Sequence, residues 1–133
     1  MVRLGFVVAS FSGDLVDDMV DRAREAATER GASVVAEREV PGAYDAPLAA
    51  DRLARRGDVD AVVVIGAIIS GDTDHDHVIA EAAATGLTDV SLDRDTPVTF
   101  GVTGPGMSLA EARERVDYGV RAVDAAIDLV GAP

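Results

Sequence analysis

The sequence contains no cysteine and no lysine. Without cysteine there is no disulfide, no thiolate nucleophile and no Cys-ligated metal; the redox compartment stays open, with the cytoplasm as the default expectation. Without lysine, an enzyme-bound Schiff base and the phosphate-binding lysine of a P-loop are excluded. Aromatic residues make up only 4% of the 133 residues, so Ala, Val, Leu and Ile must build the interior. No apolar run approaches the roughly 20 residues of a membrane span. Met1-Val2-Arg3 leads straight into a strand pattern, not a signal peptide.

Positive charge is also scarce. Twenty-four acids oppose twelve bases, all arginine, for a formal net charge of −12. Such a surface repels nucleic acid and anionic membrane. It suits concentrated salt, where screening shrinks self-repulsion, and a halophilic protein is the expectation. The hydrophobic content of 48% is enough for a core, and the length predicts one domain, residues 1–133.

Along the chain, strand and helix patterns alternate. Leu4–Ser10, Ser33–Val40, Asp60–Ile69 and Pro97–Thr103 read as strands. Asp60–Ile69 is apolar on both faces, which predicts a central strand of a parallel sheet. Ser12-Gly13-Asp14 reads as a turn and cap before a helix that Gly31 stops. A second helix is predicted from about Tyr44 to Arg56, with Pro47 in its first turn. A third runs from Asp74 to about Gly86, with Val78, Ile79, Ala82 and Ala83 inward; Leu87–Thr96 is helix or loop. After the turn signal Gly104-Pro105-Gly106, Ser108-x-x-Glu111 is a capping box. It opens one last helix whose stripe is Leu109, Ala112, Val116, Val120, Val123, Ile127 and Val130. This order predicts a three-layer α/β sandwich, a four-stranded parallel sheet with helices on both faces.

The chemistry concentrates between Gly66 and Val78, GAIISGDTDHDHV. Gly66-x4-Gly71 is one residue from a P-loop, but Asp72 occupies the lysine position. Gly71 still lets backbone amides face an anion before a helix start. His75 is either a cap or surface residue, or a group that moves protons near neutral pH. His75-x-His77 does not place two ligands on one helix face, so no metal is expected. Phe11 and Tyr44 fall at strand ends, where they could sandwich a flat ring; Phe100, inside a strand, is core by its pattern. Arg115 is either a surface partner of Glu111 or an anion clamp.

Four segments together resemble the 6,7-dimethyl-8-ribityllumazine synthase family, in its archaeal form. They are Ala9-Ser10-Phe11; Val40-Pro41-Gly42-Ala43-Tyr44-Asp45-Ala46-Pro47; Gly66 through His75; and Val98–Gly106 with Glu114-Arg115-Val116-Asp117-Tyr118-Gly119. The resemblance implies a flavodoxin-like fold and a cofactor-free condensation of 5-amino-6-(D-ribitylamino)uracil with 3,4-dihydroxy-2-butanone 4-phosphate. It implies that Phe11 stacks on the pyrimidine, that Ala43, Tyr44 and Asp45 hold the ribityl chain and ring edge, and that Ala67, Ile68 and Ile69 line the ring pocket. Asp72 and Thr73 offer amides to the phosphate, and His75 transfers protons. Phe100 and Arg115 come from a neighbouring subunit, Arg115 meeting the phosphate, within a homo-oligomer built on pentamers or a larger shell.

The chain departs from the common bacterial pattern. Ser10 stands where a basic residue often precedes the aromatic, Tyr44-Asp45 replaces Phe-Glu, and Asp72 adds negative charge beside an anion site. A second cation in the last helix is not evident, with Arg113 or Arg121 as substitutes, and the bacterial N-terminal extension is absent. Two alternatives share the resemblance: an archaeal-type riboflavin synthase, and a non-catalytic lumazine- or flavin-binding shell protein.

Overall fold

The computed structural model describes residues 1–133. Strands and helices follow as β1 (Arg3–Ala9), α1 (Gly13–Glu29), β2 (Ser33–Val40), α2 (Ala46–Ala54), β3 (Ala61–Ile69), α3 (His75–Arg94), β4 (Val98–Met107), α4 (Leu109–Arg113) and α5 (Tyr118–Val130). All strand pairs are parallel, in the order β2-β1-β3-β4. The sheet grows in one direction from β1 to β2, then in the other from β3 to β4. Right-handed crossovers put the helices on opposite faces when the direction reverses. Accordingly α1 packs with α5 on one face and α2 with α3 on the other. This is the flavodoxin-like α/β sandwich.

β3 is central, as its composition predicts. Its alternation sends Ala61, Val63 and Ile65 to the α1/α5 side and Val62 and Val64 to the α2/α3 side. All five are fully buried. Each Val or Ile contributes about 1.5–3 kcal/mol by leaving water, which makes this strand the main hydrophobic anchor of the sheet. On β4, Gly101 admits α5 closely: a Cβ there would lie 2.9 Å from that of Ala122 and 3.1 Å from the Gly119 Cα.

Five local expectations are corrected. Ser12 precedes α1 in a left-handed conformation, and its side chain makes no capping bond. The second helix begins as a 3-10 turn, Ala43–Asp45, before α2. α3 continues to Arg94, and its buried face is Asp76, Ala80, Ala83, Leu87 and Val90, leaving Val78 and Ala82 exposed. β4 runs past Thr103 to Met107 through a cis Gly104–Pro105 bond, and pairing resumes at Ile69–Met107. The last helix is two helices. Tyr118 N–H donates to Arg115 O three residues back, and the four-residue pattern resumes only at Arg121 N–H to Asp117 O. The Ser108–Glu111 capping box is present, each side chain accepting from the other's amide at 3.2 Å.

Candidate active site

The strand order reverses between β1 and β3, so the loops after these strands part and leave a crevice at the carboxyl edge. A cleft of about 460 Å³ lies there. Its walls come from Phe11, the Pro41–Asp45 loop, Ala67–Ile69, Gly71, and His75, Asp76 and Ile79 of α3. Eight of the sequence-predicted residues therefore meet in one place: Phe11, Ala43, Tyr44, Asp45, Ala67, Ile68, Ile69 and His75.

The backbone fixes the mouth. Parallel pairing carries on past the ends of β1 and β2, with Ser10 N–H donating to Val40 O at 2.9 Å and Phe11 N–H to Pro41 O at 3.1 Å. These bonds hold the two aromatic-bearing loops side by side. Phe11 is 68% and Tyr44 63% exposed. Two aromatic rings left in water at one cleft mouth are surface that a flat ligand would cover. Asp45 Oδ2 accepts from Gly42 N–H at 3.1 Å, which orients its carboxylate within the loop. Ala67 and Ile68, both buried, form the floor with half-buried Ile69.

The turn after β3 is polar and donor-rich. The amides of Gly71, Asp72, Thr73 and Asp74 donate to no acceptor in the chain. They lead into the positive end of the 20-residue α3. Free amides and a helix dipole together favour an anion. Thr73 Oγ1 accepts from His75 N–H at 3.3 Å and so caps the helix start.

Asp76 was not foreseen as a site residue. It is only 6% exposed and lines the cleft. Its Oδ2 accepts from the Gly106 amide at 2.9 Å and the Ser70 hydroxyl at 3.3 Å. The Gly106 N–H, opposed by burial and aided by His77 and Ser70, holds the carboxyl below the usual 3.8. The sequence gives no sign of this role, because Gly106 lies 30 residues away.

Phe100 and Arg115 are not brought to this cleft. Phe100 is 37% exposed, against its core pattern, and lines a separate hollow with Tyr118, Arg121 and Ala122. Arg115 donates to the Glu111 carbonyl at 2.9 Å. It does not pair with the Glu111 carboxylate as its spacing suggested; that carboxylate accepts the Ser108 amide, which holds it below its ordinary range. The guanidinium of Arg121 sits 5.2 Å from the centre of the Tyr118 ring. No group of three or more His, Cys, Asp or Glu side chains forms a metal-binding cluster. No helix is long and apolar enough to cross a membrane.

The cleft combines a stacking surface, an apolar floor, an imidazole and an anion-ready turn. Comparison with known proteins gives the family. Residues 1–133 match the family model described as 6,7-dimethyl-8-ribityllumazine synthase. Proteins of that name are similar over nearly the whole chain. The one from Halorubrum lacusprofundi is 70% identical over 129 residues, covering 97% of this chain and 96% of its own. The one from Halobacterium salinarum is 64% identical, covering 97% of each. The one from Methanocaldococcus jannaschii is 48% identical over 130 residues, covering 98% and 92%. With the family model matching every residue, this chain belongs to the 6,7-dimethyl-8-ribityllumazine synthase family.

Proposed function

We propose that this protein makes 6,7-dimethyl-8-ribityllumazine from 5-amino-6-(D-ribitylamino)uracil and 3,4-dihydroxy-2-butanone 4-phosphate, the penultimate step of riboflavin synthesis. The observation that carries the reading is the meeting of Phe11, Tyr44, the Ala67–Ile69 floor, His75 and Gly71 around one cleft, with the free amides of Asp72, Thr73 and Asp74 following Gly71 just outside its lining. The pyrimidine stacks on Phe11 above the floor. Ala43, Tyr44 and Asp45 take the ribityl chain and ring edge. The phosphate sits on the amides of Asp72 and Thr73, which have no competing acceptor in the chain.

The amine of the uracil condenses with the ketone, losing water and forming an imine between the two substrates, so no lysine is required. Phosphate is then eliminated. The C3 proton leaves with it, the resulting enol tautomerises to a ketone at C3, and the ribityl-bearing nitrogen attacks that new carbonyl with loss of a second water. His75 lies beside both the pyrimidine floor and the phosphate turn, and it moves the protons of these steps.

Phe100 and Arg115 complete the site from a neighbouring subunit. Both lie away from their own protomer's cleft, and the partly exposed Phe100 ring is available to another surface. The assembly is a homo-oligomer built on pentamers, and it works in the cytoplasm at high salt. The test is phosphate release and lumazine fluorescence measured together in molar salt with both substrates. Stoichiometric appearance of the two supports the reading. Binding of added lumazine without phosphate release would favour a lumazine-binding shell, and riboflavin formed from lumazine alone would favour a riboflavin synthase.

A further inference from the structure

We propose that Asp76 is a positioning residue: it clamps the Gly71–Asp74 turn to the end of β4 and thereby sets the geometry in which the turn receives phosphate. The inference rests on the functional reading above and adds to it a residue outside the substrate contacts.

The segment from Gly71 to His75 is tied at both ends to the same piece of β4. Before it, Ser70 N–H donates to Met107 O at 2.8 Å. After it, Asp76 accepts the Gly106 amide at 2.9 Å. The Ser70 hydroxyl, donating to the same Asp76 oxygen at 3.3 Å, closes the loop on itself. Inside the segment almost nothing else restrains the chain. The amides of Gly71 through Asp74 have no acceptor, and Thr73 Oγ1 with His75 N–H is the internal bond. A turn that must present free amides cannot hold itself with those amides, so its shape has to be imposed from its ends. Asp76, 6% exposed at the first turn of α3, does this from a fixed position.

The two bonds converge on one atom, Oδ2. A single carbonyl oxygen has two lone pairs and can accept both donors. The clamp therefore depends on the acceptor's position and not on its charge, which separates two otherwise similar substitutions. Asp76→Asn keeps the clamp. Asp76→Ala removes it and leaves the Gly106 amide without a partner.

Steady-state kinetics of the wild type, D76A, D76N and S70A in molar salt test this, with calorimetric binding of inorganic phosphate as a second readout. D76A is expected to raise KM for the butanone phosphate roughly 10-fold, the loss of both hydrogen bonds that meet on this acceptor, and to leave KM for the ribitylaminouracil unchanged. D76N returns the phosphate-substrate KM to within about threefold of wild type. S70A, which removes one bond of the pair, raises it about threefold. Inorganic phosphate affinity follows the same order. A wild-type KM for the phosphate substrate in D76A overturns the clamp, as does an equal loss in D76A and D76N. If D76A does not fold, S70A with wild-type KM and wild-type phosphate affinity overturns it. A wild-type protein that releases no phosphate from substrates counts against the functional reading alone, and the inorganic phosphate series then decides the clamp; failure of the wild type to bind inorganic phosphate overturns both.

Discussion

His75 meets its neighbours through two different parts. Its backbone amide is held by Thr73 Oγ1, while its side chain faces the cleft. Substituting the side chain therefore leaves the capping bond of α3 in place. General acid–base catalysis by one positioned group contributes about 10²–10⁴-fold, so His75→Ala is expected to lower kcat about 100-fold or more. Binding of the ribitylaminouracil, which the proposed function assigns to Phe11, Tyr44 and the β3 backbone, should change by less than about threefold, because uniform binding is separable from transition-state effects. Single-turnover rates and equilibrium titration with the uracil measure the two quantities. An unchanged kcat would remove His75 from the chemistry.

The Gly104–Gly106 hook of β4 supplies the amide of the proposed clamp and abuts the cleft floor. Gly104 has φ +94°, and a Cβ there would overlap the Ile68 carbonyl, whose chain forms the cleft floor. Gly104→Ala combines left-handed strain with a backbone collision and is expected to destabilise by about 3 kcal/mol or more. Gly13→Ala, at a position where an added Cβ meets nothing within 4 Å, should stay within about 0.5 kcal/mol. Thermal unfolding in molar salt compares them; equal Tm values would show that the hook yields freely.

The same element marks the limit of what the sequence discloses. Apolar runs and helix punctuation located all four strands, because a parallel sheet covered on both faces leaves an unmistakable hydrophobic record in β3. Eight of the foreseen site residues converge, because they lie beside strand ends that any such sheet brings together. Gly104-Pro105-Gly106 reads as a turn by local chemistry, yet β3 keeps it paired, a tertiary effect. The break at Glu114–Asp117 has no Gly or Pro to announce it, and the apolar spacing continues across it. The register of α3 departs from its apolar pattern because buried Asp76 replaces an apolar residue on its inward face. Its partners are remote in sequence, so periodicity cannot find it. Phe100 and Arg115 are expected at the site through resemblance alone, and neither lines the cleft of this chain.

At the scale of the molecule, charge bears on the proposed assembly. Eight of the twelve arginines lie within 4.0 Å of a carboxylate, and more than half of the 24 acids are left without an arginine partner. Bringing such protomers together stacks like charge on like charge. At 1 M salt the screening length falls to about 3 Å, which removes most of that penalty. Low salt is thus expected to dissociate the oligomer and molar salt to rebuild it, and this gives a direct test of the shared site. If His75 of one protomer works with Arg115 of the next, the interface is heterologous, and two defective chains can repair each other. His75→Ala and Arg115→Ala proteins, mixed at low salt and returned to molar salt, would assort at random. About a quarter of the sites would then pair an intact His75 with an intact Arg115, and activity at limiting butanone phosphate should recover to about a quarter of wild type. The same proteins reassembled separately should stay near their individual low rates. Were both residues to act within one protomer, no mixture would contain an intact site, and the mixed sample would show only the average of its two parents.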